Sequence, residues 1–230
     1  MFASTCVVGA GRVGKAVFAR LSEGRLDVTL TGRDLDCAGA ELVLLCVPDR
    51  AIAGVASGIE QGPWVAHTSG AARLSALEPH RRRFSLHPLQ TFIHDRGPEQ
   101  LDGAYAAVSG ETDEALAAGT ALADALGLRP FELPDGERPA YHAAATLASP
   151  FLVTLHEAAA ELMETAGAPP EALEPLMRRT MENGFVPTGP FVRGDFGTVE
   201  AHLAAIRSRR PQLEPLYRSL AEVTERLVPR

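Results

Sequence analysis

Nowhere does the sequence carry an apolar run approaching the roughly 20 residues that a membrane-spanning helix needs. A membrane partner is therefore not expected. An excess of basic charge is also missing. Lysine and arginine number 22 against 29 aspartates and glutamates, which leaves a net charge of −7 and a pI near 5.5. Binding a phosphate backbone takes a basic face, so nucleic acid is excluded as the expected partner. The run Arg81-Arg82-Arg83 is too short to reverse this and reads as a solvated loop. Cysteine is scarce: Cys6, Cys37 and Cys46, with no CxxC spacing. Cys6 and Cys46 fall in apolar runs, where a thiol packs as a small hydrophobe, and a reduced, cytoplasmic interior is expected. No carboxylate or cysteine stands at ligand spacing from the histidines, so no metal site is expected. Low-complexity tracts, internal repeats and a secretory-signal pattern are absent too.

What is present starts at once. Thr5-Cys6-Val7-Val8 reads as a buried strand, Gly9-Ala10-Gly11-Arg12-Val13-Gly14 follows, and Lys15–Leu21 reads as a helix. Strand, GxGxxG and helix together make a dinucleotide-binding turn. Gly9 permits the tight turn, Gly11 lets the backbone approach a pyrophosphate, and Gly14 lets helix and strand close up. The pyrophosphate would sit on the free N–H groups of the helix N-terminus.

The next strand, Asp27–Thr31, carries cofactor information. An NAD site commonly places a carboxylate at its end, on the ribose 2′-hydroxyl. Here Thr31, Gly32 and Arg33 stand there, which suits the 2′-phosphate of NADP better than NAD, with Asp34 nearby as a counter-indication. The third strand, Glu41–Val47, follows too soon for a full crossover helix, so that helix is predicted to be missing or reduced to a turn. Val47 and Pro48 end the strand at the cofactor edge. Asp49 can cap the helix Arg50–Ile59 or line the cleft.

His67 and His87 fall where Trp64–His67 and Phe84–His87 meet their loops. In a parallel sheet that is the edge where ligands bind. Thr68 and Ser69 join the cofactor residues. After Leu128–Leu133 no strand is recognisable, and a boundary is placed at Asp135/Gly136. Residues 1–135 are expected to form the dinucleotide-binding domain. Residues 136–230 are expected to form an all-helical one. Within it, Arg138–Ala166 reads as a central, buried helix kinked at Pro150. Thr198 reads as the cap of a later helix. Arg193 and Asp195 lie in a Gly/Pro-rich loop, as a loop-stabilising pair or as a clamp on a substrate anion.

Six stretches carry a resemblance. They are Gly9–Gly14, Cys46-Val47-Pro48-Asp49, His67-Thr68-Ser69-Gly70-Ala71, Ser85–Phe92, Tyr141–Ala145 and Thr188–Asp195 with Thr198 and His202. Through them the chain resembles a two-domain family of unassigned function with a Rossmann-like N-terminal half and a helical C-terminal half. That family is similar to the 6-phosphogluconate and β-hydroxyacid dehydrogenases and to the pyrroline-5-carboxylate and ketopantoate reductases. The resemblance implies NAD(P) binding, oxidoreductase chemistry and a helical half that often dimerises. Family members carry a lysine where this chain has Arg138 and an asparagine where it has Pro150. In the related dehydrogenases such residues work at the substrate carbonyl. Arginine could bind an anion there but could not give up a proton.

The expected function is thus an oxidoreductase, preferring NADP, that acts on a small carbonyl or imine in the cleft between domains. His67, His87 and His142 are the candidate proton donors, and Arg138, Arg193 and Asp195 the candidate substrate contacts. The alternative is a dinucleotide-binding sensor or scaffold without redox chemistry. A weaker one is a degenerate fold that has lost the nucleotide. The apolar stripes of the C-terminal helices predict a homodimer.

Overall fold

The computed structural model describes residues 2–32 and 36–227. Its strands are β1 (Ser4–Val8), β2 (Asp27–Thr31), β3 (Leu42–Leu45), β4 (Trp64–His67), β5 (Arg83–Leu89), β6 (Tyr105–Gly110) and β7 (Arg129–Glu132). They form one seven-stranded sheet in the order β2-β1-β3-β4-β5-β6-β7. Every neighbouring pair is parallel except β5 and β6. This is the expected Rossmann-like, mostly parallel sheet, and an all-helical region follows it. β3 and β4 are buried at every residue, as strands covered on both faces must be. Alternate residues serve opposite layers. Val7, Leu42, Leu44, Phe84 and Leu86 pack with Val17 and Leu21 of α1 (Arg12–Glu23) and with Leu122 of the later helix α3 (Asp113–Ala125). Cys6, Val8, Val43, Leu45 and Val65 pack with Ile52 and Ala56 of α2 (Asp49–Ala56).

Local chemistry sets the helix starts. Thr112 Oγ1 accepts from Ala115 N at 3.1 Å and caps α3. Asp49, expected as a cap, is instead the first residue of α2. Pro48 occupies the cap position, its carbonyl accepting from Ala51 N at 2.8 Å, and no side chain caps the helix. Among the described residues no helix joins β2 to β3, as the short link predicts. The expectation for Cys6 fails. Cys6 is bonded to Cys37, with 5.5 Å between their Cα atoms, and only Cys46 is free. Cys37, in the link that follows β2, lies close enough to β1 for the two sulfurs to meet.

The helix expected over Arg138–Ala166 is two helices, α4 (Arg138–Ala148) and α5 (Pro150–Thr165). Ser149 leaves helical geometry, and Pro150 opens the second helix, where its missing N–H costs nothing. The chain divides into compact units at Thr146/Leu147, inside α4, rather than at Asp135/Gly136. The physical reason is Arg138. Its guanidinium is completely buried against the sheet and holds the first turn of α4 in the first unit. Nε donates to Asp135 Oδ1 at 2.9 Å, Nη1 to the Ser69 carbonyl at 3.0 Å, and Nη2 to Ser109 Oγ at 3.0 Å and to Ser85 Oγ.

The second unit adds α6 (Leu173–Glu182), α7 (Pro190–Arg193), α8 (Phe196–Arg209) and α9 (Glu214–Leu227). Val199, Leu203 and Ile206 of α8 are buried in it. Asp195, not Thr198, caps α8, accepting from Thr198 N at 3.1 Å and Thr198 Oγ1 at 2.6 Å. The expectation that α5 is buried also fails: Phe151 is 50% and Val153 60% exposed. No described helix is long and apolar enough to cross a membrane.

A buried guanidinium with four partners is a structural strut. Arg138→Met should lower unfolding stability by about 3 kcal/mol, and Arg138→Lys by about 2 kcal/mol, since one ammonium cannot serve a forked set of acceptors. Urea midpoints at pH 7 would measure both. Unchanged midpoints would leave Arg138 free for a ligand.

Candidate functional site

The site begins where β1 ends. Gly9 takes φ 113°, a conformation other residues rarely adopt, and a side chain there would collide with the Cys46 carbonyl. At Gly14 a side chain would strike the Gly9 carbonyl. These two glycines are demanded by the protein's own packing. Gly11 is not: a Cβ built on it meets nothing within 4 Å. Gly11 is the N-cap of α1, no side chain caps it, and no acidic residue stands in the first turn. Open space over free N–H groups at the positive end of a helix fits an anion. Ala10, Gly11 and Arg12 are exposed and Val13 is half-buried. Arg12 Nη1 donates to the Phe92 carbonyl at 3.0 Å, which ties the turn to the loop after β5.

The carboxyl edges of β2, β3 and β4 line up beside this turn. Gly9 N donates to the Thr31 carbonyl at 2.9 Å, Cys46 N to the Val8 carbonyl at 2.8 Å, and Thr68 N to the Leu45 carbonyl at 3.1 Å. Thr31 Oγ1 is buried and has no hydrogen-bond partner among the described residues. Gly32 is exposed beside it, and Arg33 lies outside the described residues. Val47 is half-buried and Pro48 exposed, at the mouth of β3. Burial pushes the Cys46 thiol up to about 12, so it stays protonated and inert. The Ser69 hydroxyl is committed to its own loop, accepting from Ala71 N at 3.1 Å and Ala72 N at 2.9 Å.

Three histidines were candidates for proton transfer, and their environments differ. His67 is fully buried; its Nδ1 accepts from Ser69 N at 3.2 Å, and its Nε2 has no partner among the described residues. Burial, then the charge of Arg138, pulls its pKa down to about 4. His87 lies two residues beyond Ser85, the partner of His67, where β5 has passed its parallel neighbour and pairs only with β6. Burial, then the charges of His142 and Arg138, brings it to about 4 as well. Neither ring is an imidazolium near neutral pH. His142, on α4, is exposed, and its ring centroid is 6.3 Å from that of His87.

Tyr141 is the residue that the sequence reading passed over. Its hydroxyl is 2.7 Å from His87 Nδ1, and burial raises its pKa to about 12. A phenol is the stronger donor, so Tyr141 donates to His87 Nδ1 and leaves the proton on Nε2. The match is one of periods. Ser85 and His87, two apart on a strand, meet Arg138 and Tyr141, three apart on a helix. His87 Nε2 turns toward Gly70, where a Cβ would lie 2.9 Å from it and 2.8 Å from His142 Cδ2. The stretch His67–Ala71 beside Tyr141-His142 held the signal, in a glycine facing two rings.

The remaining candidates do not join this cluster. Arg138 is consumed by its four partners and is shut off from solvent. Asp195 is consumed by Thr198, whose hydrogen bonds lower its pKa. Arg193 is exposed at the end of α7. Both belong to the second unit.

Sheet order, glycine turn and carboxyl-edge cluster together define a Rossmann-like fold of the kind that NAD(P)-dependent oxidoreductases share. The chain belongs to the family described as Domain of unknown function (DUF2520), whose model matches residues 104–224. Among proteins of curated function, none matches the sequence. Solved structures do. A candidate NADP oxidoreductase, BF3122 from Bacteroides fragilis, is 20% identical with a TM-score of 0.81, over 97% of this chain and 98% of that one. Protein TM1727 from Thermotoga maritima is 23% identical with a TM-score of 0.77, over 96% and 97%. A reductive aminase from Aspergillus terreus, in complex with NADPH and ethyl levulinate, is 16% identical with a TM-score of 0.70, over 98% and 94%. At these identities the likeness is one of fold.

The two depressed histidines make stability fall in acid. Both are neutral in the folded protein down to about pH 4, whereas the unfolded chain protonates them below about 6.5. Their contribution is whole above about pH 6.5 and is lost as pH falls toward 4. Each should add a slope of up to about 1.4 kcal/mol per pH unit in that window. Urea midpoints between pH 7.5 and 4.5 would measure it. His67→Asn should flatten the curve, and an unchanged slope would place His67 in water.

Proposed function

We propose that the protein is an oxidoreductase that prefers NADP and acts on a small carbonyl or imine. The observation that carries this is the vacant space over Gly11 at an uncapped helix N-terminus, which serves nothing in the protein itself. Two buried polar atoms without partners among the described residues support it. Thr31 Oγ1 ends β2 and His67 Nε2 ends β4, and the strand order sets those strands three spacings apart, about 14 Å. An extended dinucleotide bridges such a span, with adenosine ribose by Thr31-Gly32, pyrophosphate on Gly9–Val13, and nicotinamide toward Thr68 and His67. The absence of a carboxylate at Thr31-Gly32 favours the 2′-phosphate. A bound reduced nicotinamide would supply hydride. His87, held neutral, turns Nε2–H toward Gly70, and on this reading that N–H would polarise a carbonyl oxygen or imine nitrogen. His142, the exposed ring of the pair, would furnish the proton.

A second reading is a dinucleotide-binding sensor or scaffold. Arg138 favours it: where the resemblance implies a working lysine, this chain has a buried strut, and Pro150 brings no polar side chain. The test is titration calorimetry with NADPH and NADH, then turnover of small oxo acids and imines. NADPH should bind more tightly. Gly11→Ala should weaken it at least about tenfold with an unchanged melting temperature, because the added methyl blocks only the ligand. Replacing His87 and His142 together should abolish turnover and spare binding. Binding without turnover of any such substrate would favour the sensor, and no binding at all would sink both readings.

The cytoplasm and a homodimer complete the proposal. The exposed Phe151, Val153, Leu176, Phe185, Val186 and Val223 of the second unit support a second copy as their cover. Light scattering should give twice the chain mass, falling to one chain mass in Phe151→Asp. A wild-type monomer would refute the homodimer.

A further inference from the structure

The histidine cluster offers a ligand one fixed donor, and the kind of donor selects the kind of ligand. His87 Nδ1 is taken up by the Tyr141 hydroxyl at 2.7 Å, which leaves the ring proton on Nε2. The phenol is held on two sides. Its ring meets His87 edge-on at 5.5 Å and Phe131 at 6.0 Å, and Phe131 in turn meets Tyr105 at 6.4 Å. The buried bonds of Arg138 fix the same helix one turn earlier. At the opposite edge of the His87 ring, Nε2 has no protein partner among the described residues. His87 is only half-buried, so that edge is within reach of a small molecule. Gly70 helps to keep it open. Its φ is not in the left-handed range that calls for glycine, yet a Cβ there would lie 2.9 Å from Nε2. The missing side chain thus serves the ring and not the turn. Burial, with the charges of His142 and Arg138, keeps the ring from taking a second proton near neutral pH.

We propose that the site takes a carbonyl compound and rejects an iminium ion, and that Tyr141 is the positioning residue behind this choice. The proposal rests on the oxidoreductase reading given above. A neutral imidazole locked as an Nε2–H donor needs a lone pair to meet. A carbonyl oxygen has two. An iminium nitrogen has none, and any hydrogen on it would set N–H against N–H. Reduction widens the difference. Hydride from the reduced nicotinamide bonds to the carbonyl carbon, and the π pair moves onto oxygen. The growing charge on oxygen strengthens its bond to Nε2–H. A proton arriving by way of His142 then completes an alcohol, and the nicotinamide is left oxidised. Hydride addition to an iminium instead returns the π pair to nitrogen and discharges a cation, so no new charge faces the donor. Freed from Tyr141, the ring could carry its proton on either nitrogen, and a bare Nε2 would repel the carbonyl oxygen.

The test uses the whole chain and has two arms. The first needs no turnover: nitrogen NMR of protein labelled in its histidines. His87 should carry its proton on Nε2 alone, and on both nitrogens in exchange in Tyr141→Phe. The second arm follows NADPH oxidation with cyclopentanone and benzaldehyde against N-methyl-1-pyrrolinium, an iminium without a lone pair. The carbonyls should exceed the iminium in kcat/KM by at least about a hundredfold. Tyr141→Phe should lower carbonyl kcat by about tenfold with KM and NADPH affinity little changed, the mark of an interaction made in the transition state. His87→Gln places an amide N–H near the Nε2 position with no tautomer to choose. It should keep part of the carbonyl turnover and lose its sensitivity to Tyr141→Phe, which also serves if Tyr141→Phe alone folds poorly. A wild-type His87 proton on Nδ1, or an iminium turned over as well as the carbonyls, would overturn the inference and leave the oxidoreductase reading standing. An unchanged tautomer and rate in Tyr141→Phe would strike out Tyr141. NADPH bound with turnover of neither class would overturn the inference and the oxidoreductase reading together.

Discussion

The carboxyl edge of this sheet depends on one steric constraint, the near-contact of the first turn with the end of β3. Gly9 passes so close to the Cys46 carbonyl, and Gly14 so close to the Gly9 carbonyl, that neither position admits a methyl group. That closeness brings the N-terminus of α1 down onto the strand ends. It also brings Val47 and Pro48 alongside the turn, so that one shelf runs from Thr31 to Thr68. Because the constraint is met by backbone alone, the space above Gly11 stays free of side chains.

On the far side of the shelf a different force operates. The guanidinium of Arg138 is taken fully out of water, which is tolerable only because four acceptors surround it. It fixes the first turn of α4, and one turn later Tyr141 and His142 arrive beside His87. Its positive charge also helps to keep His67 and His87 neutral. A single side chain thus sets both the position and the protonation of the cluster. A lysine, with its charge on one atom, could not hold the same arrangement.

Much of this was legible in the sequence because it rests on local pattern. The glycine spacing, the apolar runs of β3 and β4 and the short link after β2 each follow from a few neighbouring residues. What was not legible rests on contacts between distant segments. Arg138 reads as an anion clamp because its partners Ser69, Ser85 and Ser109 lie in the loop after β4 and on two further strands. Cys6 read as a lone thiol because nothing near it in sequence announces Cys37. Tyr141 shows no role of its own in the sequence, since that role arises where a strand period meets a helix period. The break at Ser149 was softened to a kink because Pro150 is compatible with either, and only the path of the backbone decides.

Ser85 and Ser109 face each other across the antiparallel pair of β5 and β6. Both hydroxyls reach the same guanidinium. During folding that pair must choose one alignment among several, and a slip of one residue would turn either serine to the opposite face. Only the native alignment presents two hydroxyls side by side to Arg138. Any other would leave a charge in the apolar interior with too few acceptors. The buried arginine therefore acts as a proofreading key, admitting one pairing of the only antiparallel strands in the sheet and rejecting the rest.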